Sequence, residues 1–200
     1  MTRLTTRRAG EWLALFTLLI LLALATVGCA RRDTPAPAPT NRVETPSAES
    51  FSVYDLPGRW LDQSGAERSL ATLRGAPVLL ALVYTHCTAT CPLAVAELKR
   101  IAASDATVRF VLVSLDPARD DPAQLSAFAR RLELDPTRWT LLTGSDGDLR
   151  ELAATLGVRY RQVTPQDLSH SNLITLLDRD GRIVRQSSGR VDDGVIAALR

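Results

Sequence analysis

The sequence predicts an α/β fold, a central mixed sheet with helices packed against it. Three observations carry this. From residue 77 onward, short apolar runs of strand length alternate with stretches of helical period. The first run, PVLLALVY at residues 77–84, is apolar without a break, as expected of a strand covered on both faces. Near the end, Asp178-Arg179-Asp180-Gly181 reads as a tight turn joining two strand-like segments, so the sheet cannot be wholly parallel.

Each element has its own signal. Phe51-Ser52-Val53-Tyr54 alternates and reads as a short strand, and Leu56-Pro57-Gly58 as a turn. Residues 69–75 read as a helical turn stopped by Gly75. The strand at 77–84 runs directly into THCTATCP. Pro92 suits a first helical turn, where its missing N–H costs nothing. Leu93, Ala96, Leu98 and Ile101 then give an expected apolar face. Residues 108–114, VRFVLVS, are a second long strand. Asp121-Pro122 starts a helix carrying Leu125, Phe128, Ala129 and Leu132. Residues 139–142 are a strand. Ser145 or Asp146 caps a helix through Leu149, Leu152, Ala153 and Leu156, ended by Gly157. Residues 172–177 and 182–186 form the closing hairpin, and residues 191–200 a last helix. No internal repeat or second domain is visible.

With 200 residues and 46% hydrophobic content, the chain allows one ordinary domain, residues 51–200, plus an N-terminal extension. Residues 1–28 read as a leader. Arg3, Arg7 and Arg8 precede sixteen uncharged residues, 12–27, which end in Thr26-Val27-Gly28-Cys29. A small residue before a cysteine after an apolar run resembles a bacterial lipobox, with Cys29 as the lipidated first residue of the mature chain. An uncleaved anchor helix is the alternative, and Arg7-Arg8 fits a twin-arginine signal poorly. Either main reading tethers the domain to a membrane on its extracytoplasmic (periplasmic) face. Residues 29–50 are rich in proline, alanine and polar residues and read as a flexible spacer. From Cys29 onward, 21 basic residues face 21 acidic ones. A neutral domain has no electrostatic footprint for nucleic acid.

Cys87 and Cys91 lie where a strand gives way to a helix. Helical i, i+4 spacing would put their Cα atoms roughly 6 Å apart, within disulfide range. Helix N-terminal N–H groups favour thiolate, the form that attacks disulfides and binds metals. A static disulfide over three residues would constrain the unfolded chain little. Two inert buried thiols are the other bland reading. A soft metal would want a third ligand, and the chain has only His86 and His170. His86 adjoins Cys87 and is expected to point away from its sulfur. His170 precedes the fourth strand, whose start would lie beside the end of the first. Two thiolates and an imidazole suit Cu(I) or a Cu(II)–thiolate site. Zinc normally wants a fourth protein ligand, for which Asp116 is a candidate carboxylate.

Tyr84-Thr85-His86-Cys87-Thr88-Ala89-Thr90-Cys91-Pro92, Val113-Ser114-Leu115-Asp116-Pro117 with Arg119-Asp120-Asp121-Pro122, Leu142-Thr143-Gly144 and Ser169-His170-Ser171 together resemble the SCO/SenC family. The resemblance spans about residues 50–200. It implies a thioredoxin-like, three-layer fold and a copper chaperone for cytochrome c oxidase assembly. It also implies that Cys87, Cys91 and His170 hold the copper, that Cys87 and Cys91 form a redox pair able to close as a disulfide, and that Asp116 supports the site from outside the ligand set. Thr88 stands where proline is common, and VTPQDLS before His170 lacks the usual Tyr-x-Val-x-His pattern.

The expected function is therefore a membrane-tethered copper metallochaperone. Its partners would be the copper-bearing oxidase subunit and other periplasmic copper chaperones or thiol reductants. The rival is a thiol–disulfide oxidoreductase that keeps oxidase cysteines reduced without carrying metal. There Cys87 attacks and Cys91 resolves the mixed disulfide. A peroxidase, needing only Cys87 and a peroxide pocket, is a weaker third reading.

Overall fold

The computed structural model describes residues 51–88, 90–164 and 167–198. The expected leader and spacer, residues 1–50, lie outside them. Along the chain run β1 (Trp60–Asp62), β2 (Glu67–Arg68), β3 (Val78–Val83), α1 (Thr90–Ser104), β4 (Arg109–Ser114) and α2 (Pro122–Arg131). Then come β5 (Trp139–Gly144), α3 (Asp146–Thr155), β6 (Tyr160–Gln162), β7 (Leu168–His170), β8 (Leu173–Leu177), β9 (Ile183–Ser188) and α4 (Asp193–Ala198). Among the described residues, no helix is long and apolar enough to cross a membrane.

Seven strands form one sheet in the order β2-β1-β5-β4-β3-β8-β9. β3, β4 and β5 are parallel to one another. β1 runs antiparallel to β5, and β8 antiparallel to both β3 and β9. The sheet is thus mixed, as expected. All six residues of β3 are buried, which requires cover on both faces. β6 and β7 pair separately, with Tyr160 opposite His170.

Capping agrees with the sequence. The Asp121 carboxylate accepts from the Gln124 N–H at the start of α2, and the Ser145 hydroxyl oxygen accepts from the Asp148 N–H at the start of α3. Gly157, just beyond α3, takes φ +67°, the left-handed conformation of a helix stop.

Two expectations need correction, and four short strands come in addition. Residues 51–54 are not a strand: Val53–Asp55 is a 3₁₀ turn whose Ser52 hydroxyl accepts from the Tyr54 N–H. Ser52 also donates to the Asp180 carbonyl, so local hydrogen bonds replace a ladder. The buried face of α1 is Cys91, Ala94, Val95, Leu98 and Ile101, whereas Leu93 is 68% exposed and Ala96 is exposed. Cys91 itself sets the phase of that face, two residues before Leu93. Finally, β1, β2, β6 and β7, of two or three residues each, have no counterpart in the sequence reading.

Candidate metal centre

The C-terminal end of β3 leads into a turn, Tyr84 to Cys87, closed by the Cys87 N–H donating to the Tyr84 carbonyl at 3.1 Å. Thr90 then opens α1. The Cys91 N–H, at the helix start, donates to the Cys87 sulfur at 3.3 Å, and Thr90 Oγ1 lies 3.6 Å from the same sulfur. The first of these contacts uses one of the free N–H groups of a helix N-terminus, which thus points at the Cys87 sulfur. Both cysteines are free thiols. Cys91 is wholly buried and Cys87 is 8% exposed, so Cys87 is the more accessible of the two.

β7 delivers His170 to this end of the sheet. Its Nε2 lies 3.7 Å from the Cys91 sulfur, and Nδ1 lies 3.3 Å from the Ser171 carbonyl. A carbonyl only accepts, so Nδ1 carries the proton in the neutral ring and Nε2 presents a lone pair to the sulfurs. The Tyr84 ring meets His170 edge-on, with centroids 6.0 Å apart. The Tyr84 hydroxyl lies 3.2 Å from Asp167 Oδ1 and 3.3 Å from the Leu168 carbonyl, fixing the approach to β7.

The two sulfurs and the imidazole nitrogen lie within 4.8 Å of one another. Bonds of about 2.3 Å to sulfur and about 2.0 Å to nitrogen, spread at ~120°, separate donors by roughly 3.7–4.0 Å. The Cys91–His170 distance already meets that, and the full set needs adjustment of less than ~1 Å. The donors fit one soft ion. Burial pushes the Cys91 thiol up, reinforced by its hydrogen bond to Cys87. Burial lowers the His170 pKa, with the Ser171 carbonyl partly opposing, so the ring is neutral at physiological pH. An open cleft of about 350 Å³, lined by Tyr84, Cys87, Thr90, Val163, Leu168 and His170, leads to the centre.

His86 and Asp116 have partners outside the three-donor group. His86 is exposed, with Nδ1 3.1 Å from the Thr85 hydroxyl. The Asp116 carboxylate pairs with Arg119. Asp120, four residues on, is the loop carboxylate that contacts the cysteine turn. Cys29 lies outside the described residues. Sequence reasoning missed Tyr84 and Asp120 as supports of the centre. Tyr84 reads as a strand residue, and nothing in a loop holding Asp116, Asp120 and Asp121 shows which carboxylate is buried.

The SCO1/SenC family model matches residues 51–199. Among solved structures, Bradyrhizobium japonicum ScoI with copper bound is 29% identical, with TM-score 0.59 over 71% of this chain and 94% of that one. A SCO1/SenC family lipoprotein from Bacillus anthracis is 25% identical, with TM-score 0.63 over 74% and 92%. BsSco, a member of the Sco family of cytochrome c oxidase assembly proteins with a disulfide switch, is 25% identical, with TM-score 0.62 over 74% and 96%.

Proposed function

Because the chain belongs to the SCO1/SenC family, we propose that it carries copper on Cys87, Cys91 and His170 and delivers it to the copper-bearing subunit of cytochrome c oxidase during assembly. The carrying observation is the approach of two thiols and one neutral imidazole to within 4.8 Å, at the inner end of a cleft. Copper is the metal: a relative holds it, and the donor set is soft enough to prefer it. The domain works from a membrane tether at the extracytoplasmic face, built from the apolar leader or a lipid on Cys29. The Bacillus anthracis relative, a lipoprotein, supports the second form.

Each residue has a separable part. His170 offers its Nε2 lone pair without losing a proton. Cys91, kept protonated by burial, gives up a proton on uptake, so copper binding releases protons. Cys87 lines the cleft while Cys91 lies behind it, so an incoming partner thiolate displaces Cys87 first. Tyr84 screens His170 from one side.

The rival reading draws on the same two free thiols. As an oxidoreductase, the Cys87 thiolate would attack a partner disulfide and release one partner thiolate. Cys91 would then displace the second, leaving the partner dithiol reduced and Cys87–Cys91 oxidised.

Titration of the reduced full-length chain with copper, with zinc competing, tests this. One copper per chain, retained against zinc, is expected. A wild type that takes no copper, with a Cys91→Ser variant that accumulates a mixed disulfide with the oxidase subunit through Cys87, would put the oxidoreductase in its place.

A further inference from the structure

Asp120 is wholly buried, and its carboxylate ends at the turn that presents Cys87. Oδ1 accepts from the Thr85 hydroxyl at 2.5 Å, and Oδ2 from the Thr85 N–H at 3.1 Å. Oδ2 also accepts from the Ser114 hydroxyl, at the end of β4, at 2.6 Å. The Thr85 carbonyl in turn accepts from Arg131 Nη2 at 3.2 Å. Thr85 is therefore held at its N–H, its hydroxyl and its carbonyl, two residues before a proposed copper ligand. On the solvent side, His86 Nδ1 stands 3.7 Å from Oδ1 and covers the carboxylate.

The neighbouring aspartates have other tasks. Asp116 pairs with Arg119, and Asp121 caps α2. The loop is also tied to the sheet, because the Leu115 N–H donates to the Val83 carbonyl at 2.7 Å and the Asp120 N–H to the Asp116 carbonyl at 2.9 Å. The ends of β3 and β4, the loop and the cysteine turn thus form one hydrogen-bonded unit, with the Asp120 carboxylate at its centre.

A buried, desolvated carboxylate is a poor source of net stability. What a fully hydrogen-bonded one supplies is geometry, since charge-assisted bonds are short and directional. Gripping both the N–H and the hydroxyl of Thr85 fixes its backbone and its rotamer together. Because the turn is closed by the Cys87 N–H on the Tyr84 carbonyl, Cys87 inherits that placement. Metal sites need such outer supports to keep their ligands on target.

We infer that Asp120 is a positioning residue for copper binding, acting through Thr85 to hold the Cys87 sulfur in line with Cys91 and His170. This role rests on the copper-carrier function proposed for the chain.

The test uses the full-length chain in detergent with four variants: Thr85→Val, Thr85→Ser, Asp120→Asn and Asp62→Ala. Asp62 is a second buried aspartate, on β1, with β5 and β4 between it and β3. Thermal melts establish folding. Copper affinity is read by competition with a chromophoric chelator, and ligand geometry by the Cu(II)–thiolate absorption and electron paramagnetic resonance. The Cys87–Cys91 dithiol–disulfide equilibrium is read in glutathione buffers. Thr85→Val is expected to fold, bind copper at least tenfold more weakly and shift the Cu(II) signature. Thr85→Ser should stay within threefold of wild type with its signature intact. Asp62→Ala should lose stability and keep both copper readouts. Folded Thr85→Val and Asp120→Asn with wild-type affinity and signature would overturn the inference. Should the wild type take no copper, the carrier reading falls by itself, and the glutathione equilibrium decides the clamp. A shift of at least fivefold in Thr85→Val sustains it as a support of Cys87, and an unchanged constant removes it.

Discussion

Replacing His170 by alanine separates the imidazole from the two sulfurs. Nε2 lies 3.7 Å from the Cys91 sulfur and needs almost no movement to share an ion with it. The ring is neutral, so binding costs it no proton. Its loss leaves two thiols, a set Cu(I) tolerates and Cu(II) does not readily accept. Removing mere outer supports of metal ligands typically weakens binding about 10- to 100-fold, so losing a ligand should cost at least tenfold, or about 1.4 kcal/mol. His170 is only partly buried and sits on the small β6–β7 pair, outside the seven-stranded sheet, so the variant should fold. The assay is competition titration of the reduced chain with Cu(I), then the absorption and electron paramagnetic resonance of the Cu(II) form. Cu(II) binding should fall further than Cu(I) binding. A folded His170→Ala chain with unchanged affinity for both ions and an unchanged Cu(II) signature would refute the three-ligand centre.

Two further outcomes concern the fold that carries the site. Burial alone would raise the Asp62 carboxyl, but hydrogen bonds from the Ser64 hydroxyl, Arg68 and the Ser64 and Ala66 N–H groups bring it down to about 2 from 3.8. A depressed native pKa contributes stability above the unfolded value that is lost as the pH falls through the native one. Urea unfolding should therefore show wild type losing about 2 kcal/mol more than Asp62→Asn between about pH 4 and 2. Leu98 is fully buried on the α1 face begun by Cys91, so Leu98→Ala should lower stability by about 2–5 kcal/mol in urea while native chain still takes one copper.

The central strands are legible because β3 and β4 are almost uniformly buried and so almost uniformly apolar. β5, α2 and α3 are legible from caps and period together. β1, β2, β6 and β7 are too short for any period to develop, and their existence depends on the partner strand. The phase of α1 is hidden for a different reason. A cysteine heads its buried face while a leucine two residues on faces solvent, so hydrophobicity points to the wrong side of the helix start.

The candidate centre divides the same way. Spacing and a strand–helix junction single out Cys87 and Cys91, because the chemistry of a close dithiol is local. His170 depends on β7, which the sequence does not reveal, so its place could be anticipated only from the order of the larger strands and from a family resemblance. Asp120 is hidden among loop acids whose burial the sequence does not show. The geometry of the centre imposes an order of events. The sulfurs that would hold copper are the same two that would close as a disulfide. Closure takes two electrons from them and removes both thiolates from the donor set. Copper uptake would therefore require the pair in its reduced form, and release would leave it open to oxidation. Cys91 lies wholly buried behind Cys87, so either proposed exchange, of metal or of electrons, would begin at Cys87. On that proposal both would depend on the placement of Cys87, and the buried Asp120 carboxylate that grips its turn would act close to the chemistry without touching it.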